Sequence, residues 1–154
     1  MKKILISLGL VLTLSFGATF NEGYSFYKKG DYKSALIILE DLALKDDENS
    51  QRLLGMIYYY GQGVEKNYLK AKEFWEITAS KGHADSEYNL GLMYIEGTGV
   101  KQDLKKGVEL LEKAAAKEYI DAQNNLGLLY MHGYGVKQNY SKAHELLEKA
   151  AVKG

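Results

Sequence analysis

The sequence contains no cysteine and no proline. Without cysteine the chain can form no disulfide and carry no lipid-modified cysteine, so its stability has to come from packing alone. Without proline no rigid linker is visible and nothing interrupts a helix. Basic and acidic residues balance at 20 each, and no basic run follows the first residues. This balance argues against nucleic acid or an anionic membrane surface as the partner.

Long hydrophobic runs are also missing, apart from one short apolar stretch near the start. Lys2 and Lys3 precede an apolar segment over residues 4–14, and small residues follow up to Gly17. This order is typical of a secretory signal peptide, which we predict over residues 1–17 with cleavage after Gly17. A membrane span needs about 20 apolar residues. We therefore expect an exported protein, periplasmic or secreted, with no stable membrane insertion.

The chain repeats itself every 36 residues. Five sets of identical residues recur at this step: Gly55, Gly91 and Gly127; Tyr58, Tyr94 and Tyr130; Gly61, Gly97 and Gly133; Gly63, Gly99 and Gly135; Val64, Val100 and Val136. Self-similarity at such a period predicts a helical solenoid. Solenoids offer extended surfaces that bind partners more often than they catalyse reactions.

Each repeat carries the signals of two helices. Two columns of residues can cap a helix start, the first made of Asp31, Asn67, Asp103 and Asn139, the second of Asn49, Asp85 and Asp121. Glycines that can adopt the left-handed conformation mark the helix ends: Gly61, Gly97 and Gly133 for the first helix, Gly82 and Gly154 for the second. Glu118 occupies the position equivalent to Gly82 and Gly154 in the middle repeat, so glycine is absent there. We therefore predict two helices per repeat.

Apolar residues recur at helical spacing on both predicted helices. Gly91 is expected to let the partner helix approach closely, and Trp75 shares a column of leucines that predicts a core position. Glu145 and Lys149 are spaced to pair on the solvent face. The Gly61-Gln62-Gly63 turn lacks the spacing of a phosphate-binding loop, and no strand precedes it.

The segment from Ala122 to Val136 reads AQNNLGLLYMHGYGV. It is followed by KA at residues 142–143 and KAA at residues 149–151, and the whole pattern resembles a Sel1-like repeat. Three such repeats fit residues 49–84, 85–120 and 121–154. Residues 20–48 resemble a degenerate tetratricopeptide repeat instead. The resemblance implies an all-α, right-handed α-α superhelical solenoid of four helix pairs.

Proteins with such repeats are mostly adaptors that hold complexes together, which implies a protein or peptide partner, an envelope or secretion component among the candidates. One exported, cysteine-rich branch is described as penicillin-binding and weakly β-lactamase-active. Because this chain has no cysteine, the transfer of that activity is weakened. The alternative function is therefore a weak β-lactamase or peptidoglycan-active protein.

Candidate catalytic residues are few. Ser25 and Lys28 form a Ser-x-x-Lys that would place the amine one helical turn from the hydroxyl. The companion Ser-Asp-Asn and Lys-Thr-Gly elements are absent, so an exposed surface of the first helix is the preferred explanation of the match. His83, His132 and His144 do not recur at the repeat step and have no metal-binding spacing. No cofactor or metal is expected.

Two surfaces are candidates for binding. If the first helix of each pair lines the concave side, its outward residues are Arg52, Met56, Tyr59, Tyr60, Tyr88, Leu92, Ile95, Glu96, Asn124, Leu128, Met131 and His132. The alternative is that Met56, Leu92 and Leu128 pack against neighbouring helices. The second surface is the last helix, where Leu146, Ala150 and Val152 are expected to form an uncovered strip that favours self-association, a partner helix or a frayed end.

Overall fold

The computed structural model describes residues 17–153. The predicted signal peptide therefore lies outside the described residues apart from Gly17, as does the predicted stop at Gly154. Within the described range there are eight helices: α1 Phe20–Lys28, α2 Tyr32–Ala43, α3 Glu48–Tyr60, α4 Tyr68–Ser80, α5 Ala84–Glu96, α6 Leu104–Ala116, α7 Ile120–His132 and α8 Tyr140–Lys153. None of these helices has the length and hydropathy needed to cross a bilayer.

The described residues fall into two compact units that divide between Asn67 and Tyr68. In unit 1, α1 packs on α2 and α2 packs on α3. A Cβ placed on Gly23 would lie 3.0 Å from the Leu39 side chain, so glycine lets α1 approach α2 closely. Leu39, Leu54 and Ile57 are fully buried.

In unit 2, each helix from α4 to α7 packs on the next one in the chain. A buried cluster forms where α6 meets α7, built from Val108, Leu111, Ala114, Ala115, Ala122 and Leu126. Val136, from the loop that follows α7, packs against this cluster. Trp75 is buried in α4, which confirms its predicted core position.

Two glycines bring α5 and α6 together. A Cβ on Gly107 would lie 2.8 Å from the Gly91 carbonyl oxygen and 2.5 Å from Ile95 Cγ1. A Cβ on Gly91 would lie 3.1 Å from the Gly107 carbonyl oxygen. The predicted close approach at Gly91 is confirmed, and Gly107 is its counterpart on the second helix.

The loops after α3, α5 and α7 share one backbone path. Gly61, Gly97 and Gly133 end these helices in the left-handed conformation, as predicted, with φ of 71°, 74° and 68°. The last residue of each loop then makes a backbone hydrogen bond to one of the recurring tyrosines. The Asn67, Asp103 and Asn139 amides donate to the Tyr58, Tyr94 and Tyr130 carbonyls at 2.8, 2.9 and 2.9 Å.

The predicted helix starts are confirmed at Asp31, Asp103 and Asn139 in the first column and are wrong in the second column. Asp31 and Asp103 are N-caps that accept the Ser34 and Lys106 amides at 3.1 and 3.0 Å. Asn49, Asp85 and Asp121 are not caps, because they lie inside the first turn of α3, α5 and α7. The caps are Asp47, His83 and Tyr119, and of these Asp47 alone makes a side-chain capping bond. Acids in a first turn are instead favoured by the helix dipole.

A left-handed residue follows each of the helices α2, α4 and α6. Gly82 has a φ of 92°, whereas Asp46 and Glu118, one repeat step away on either side, have φ of 63° and 62°. The conformation is therefore kept even where the residue is not glycine.

Candidate binding surface

The predicted binding residues of α3 lie on its accessible side. Met56 and Tyr60, one turn apart, are 38% and 57% exposed. Arg52 and Tyr59 are half-buried, and the Tyr59 ring meets the Tyr60 ring edge-on at a centroid distance of 5.0 Å. The two tyrosines and Met56 give this helix an apolar surface with hydroxyl groups, a composition common at protein interfaces.

A row of exposed residues also runs along α7. Asn124, Leu128 and His132 follow one another at a spacing of four residues, and all three are exposed. Leu128 is 45% exposed, so it does not pack fully against a neighbouring helix. Met131, beside this row, is half-buried.

The predicted residues of α5 are less accessible. Tyr88 and Ile95 pack against the α6–α7 cluster, and Leu92 is half-buried. The Tyr88 hydroxyl accepts the Asn125 side-chain amide at 3.1 Å. Glu96 is exposed. The prediction that Tyr88 and Ile95 point outward therefore holds only in part, since both contribute to the core.

Sequence reasoning missed a network built on the recurring tyrosines. The Tyr130 hydroxyl donates to Glu112 Oε1 at 2.7 Å and accepts Lys142 Nζ at 2.7 Å. Lys142 Nζ also lies 4.2 Å from the centre of the Tyr130 ring. The hydrogen bond to Tyr130, followed by the interaction with Glu112, raises the pKa of Lys142 against the effect of partial burial. In unit 1 the Tyr58 hydroxyl likewise donates to Glu40 Oε1 at 2.7 Å.

The network differs at Tyr94. Lys106 Nζ donates to the Tyr94 hydroxyl at 2.7 Å and lies 4.1 Å from the ring centre. Glu76, which stands in the column of Glu40 and Glu112, instead accepts Lys72 Nζ at 2.8 Å. Among the described residues the Tyr94 hydroxyl has no acceptor. The sequence does contain a signal for this network, because its glutamate, tyrosine and lysine positions all recur every 36 residues.

The weak catalytic candidates are not brought together. Ser25 and Lys28 are both exposed on α1, and the Lys28 amine lies over the Tyr24 ring at 5.8 Å from its centre. Within the described part of the chain no hydrogen bond joins the Ser25 hydroxyl to Lys28, so that hydroxyl has no base in contact. Residues 17–153 contain no cluster of three or more histidine, aspartate or glutamate side chains that could hold a metal ion.

The predicted strip on α8 is only partly uncovered. Val152 is exposed, but Ala150 is buried and Leu146 packs against the α6–α7 cluster. The prediction for Ala150 is wrong because that side of α8 faces its own unit. Self-association through α8 stays a prediction.

The Sel1 repeat pattern matches residues 49–83, 84–119 and 120–154. A comparison with curated proteins found no match. Solved structures with the same fold include a Sel1 repeat protein from Oxalobacter formigenes, which is 32% identical with a TM-score of 0.82 and covers 88% of this chain and 56% of its own. Another is c5321, a protective antigen of uropathogenic Escherichia coli with an SLR fold, which is 27% identical with a TM-score of 0.76 over 89% of this chain and 34% of its own.

Cysteine-rich protein B of Helicobacter pylori shares the fold at 21% identity and a TM-score of 0.61, over 90% of this chain and 92% of that one. The chain thus spans about half the length of the Oxalobacter formigenes protein and about a third of the length of c5321. The repeat matches cover more than half of the sequence, and the helices are those of an all-α repeat superhelix. The chain belongs to the Sel1 repeat family.

Proposed function

We propose that this chain is an exported adaptor that binds a protein or peptide through the exposed side chains of its first helices. The observation that carries the proposal is the set of large apolar residues left accessible on α3 and α7, namely Met56, Tyr60 and Leu128. Tyrosine and methionine are enriched in protein interfaces, and tyrosine is frequent among the residues that dominate the binding energy. Sel1 repeats generally mediate protein–protein interaction, which agrees with this assignment.

Selection from a displayed peptide library on the full-length protein tests the proposal. We expect enriched peptides whose binding weakens at least tenfold when Leu128 is replaced by alanine, the loss typical of a residue that dominates an interface. Ile77→Ala is the matched control, since Ile77 is 42% exposed but lies on the second helix α4. For α3, Tyr60→Ala is compared with Leu44→Ala in the same way.

Two results would contradict the adaptor. The first is an equal loss of binding in Leu128→Ala and Ile77→Ala, because it would place the interface elsewhere or make it non-specific. The second is turnover of a chromogenic cephalosporin that Ser25→Ala abolishes, because it would make the chain a hydrolase of the β-lactamase type. Circular dichroism of each variant confirms that helicity is retained.

A further inference from the structure

The Tyr94 network lines an open pocket of about 720 Å³ in unit 2. Its walls carry three lysines, the tyrosine and three apolar side chains: Lys72, Lys101, Lys106, Tyr94, Leu69, Val100 and Leu104. The pocket lies between α4, the end of α5 and the loop that leads into α6. It is separate from the exposed row on α7.

Tyr94 is the unusual member of this pocket. It is only 8% exposed, and its hydroxyl oxygen accepts Lys106 while its proton has no acceptor among the described residues. The equivalent hydroxyls of Tyr58 and Tyr130 donate to glutamates at 2.7 Å. A hydroxyl is both donor and acceptor. Because Tyr94 lines the open pocket, its unused proton is available to an acceptor atom of a ligand bound there.

The charges around Tyr94 favour an anionic ligand. An ammonium group has three N–H donors. Lys106 uses one on Tyr94, and Lys72 uses one on Glu76. Lys101 is exposed and has no ion pair with any described residue. Asp103 also lines the pocket, but its Oδ1 accepts the Lys106 backbone amide as the α6 cap.

We propose that this pocket binds a carboxylate of an acidic peptide, with the Tyr94 hydroxyl and the Lys106 amine donating to its oxygens. Charge-assisted bonds of this kind are stronger than neutral ones. Leu69, which is exposed at the rim, and Leu104 give the pocket apolar walls that suit the methylene groups of a glutamate side chain. The inference rests on the proposed function, because it states which chemistry the partner carries.

The test measures fluorescence anisotropy of labelled hexaglutamate with the full-length protein, and hexaglutamine is the neutral comparison. We expect hexaglutamate to bind and hexaglutamine not to bind. Tyr94→Phe should weaken binding about tenfold, because it removes one hydrogen bond to a charged group. Tyr130→Phe is the matched control, since its hydroxyl is already used by Glu112, and its affinity should equal that of the wild type.

Three results would overturn the carboxylate site. They are a wild-type protein that does not bind hexaglutamate, equal affinities in Tyr94→Phe and Tyr130→Phe, and displacement of hexaglutamate by an equal concentration of inorganic phosphate. Library peptides that still bind through Leu128, while hexaglutamate does not bind, would leave the adaptor standing and remove this site. Absence of any library binder would instead remove the adaptor.

Discussion

At the scale of single residues, one side chain sets the middle repeat apart from its neighbours. Gln51 and Gln123 are buried, and each amide donates to the carbonyl eight positions earlier, at 3.2 and 3.3 Å. The middle repeat has Glu87 in this column. Its Oε1 accepts Lys117 Nζ at 2.6 Å, and its Oε2 is buried with no hydrogen-bond partner. Glu87 therefore keeps a buried charge where the other repeats have a neutral amide.

We expect Glu87→Gln to raise the free energy of unfolding by about 1 kcal/mol, the usual net contribution of one hydrogen bond. The new amide can donate to the Ala79 carbonyl, and Lys117 keeps its bond to the Gly82 carbonyl. Urea unfolding measures the change. Gln123→Glu is the control and should lower stability. A loss of stability in Glu87→Gln would show that the ion pair with Lys117 outweighs the burial of its charge.

A second residue-scale prediction concerns Glu118, which has a φ of 62°. A side chain in the left-handed region costs roughly 1–2 kcal/mol, whereas glycine has no such cost. Because glycine also gives the unfolded chain more freedom, Glu118→Gly should raise the free energy of unfolding by about 0.5–1 kcal/mol net. Glu118→Ala loses the same side-chain contacts but keeps the strain. Equal thermal midpoints for the two variants would refute the argument.

At the scale of helices, the α5–α6 pair depends on its two facing glycines. Replacing Gly107 with alanine should lower the free energy of unfolding by about 1–3 kcal/mol, the usual cost of overpacking. The Cβ would meet the Gly91 carbonyl oxygen at 2.8 Å and Ile95 Cγ1 at 2.5 Å. The gain in helix propensity from glycine to alanine, about 1 kcal/mol, offsets part of this. Urea unfolding measures the net effect.

The double variant Gly107→Ala with Ile95→Ala separates the two contacts. Removing the Ile95 side chain relieves one clash, but the Gly91 carbonyl belongs to the backbone and cannot move without shifting α5. We expect the double variant to lose less free energy of unfolding than the sum of the losses in the two single variants. Full recovery would mean that the side chain alone sets the helix approach.

The sequence predicts helix ends better than helix starts, for a physical reason. A left-handed residue after a helix strongly favours glycine, so the Gly61, Gly97 and Gly133 column has one simple explanation. An aspartate near a helix start can be a cap or a first-turn residue, and both are favourable. Asp85 therefore looked like a cap from sequence, although His83 is the cap.

At the scale of the whole molecule, the 36-residue period predicts the number and class of the repeats but not which side chains remain accessible. Leu128 and Ile95 have similar hydrophobicity and both lie on first helices. Leu128 is exposed, whereas Ile95 packs on the α6–α7 cluster, because that outcome depends on the neighbouring helix. The unused proton of the Tyr94 hydroxyl was missed for the same reason, since Glu76 pairs with Lys72 rather than with the tyrosine.

Export is a prediction about the whole chain. Expressed in a bacterium, the protein should leave the cytoplasm and begin at Ala18, because the charged and apolar segments before Gly17 have the order of a signal peptide. Cleavage there leaves the α1 capping box of Thr19 and Glu22 intact. Mass spectrometry of the fractionated protein checks both points. Replacing Lys2 and Lys3 with glutamate should reduce processing, and unprocessed full-length protein in the cytoplasm of the unaltered strain would contradict the prediction.

The loops after α3, α5 and α7, whose ends are hydrogen-bonded to the recurring tyrosines, have a consequence for protein engineering. Their path is set by glycine conformations and by backbone bonds from Asn67, Asp103 and Asn139, and these bonds do not involve the side chains between them. Gln62, Thr98 and Tyr134 accordingly occupy equivalent places with different chemistry. Foreign peptide segments could be grafted at these places, and the protein could serve as a cysteine-free carrier that displays several different loops at a fixed spacing along the chain.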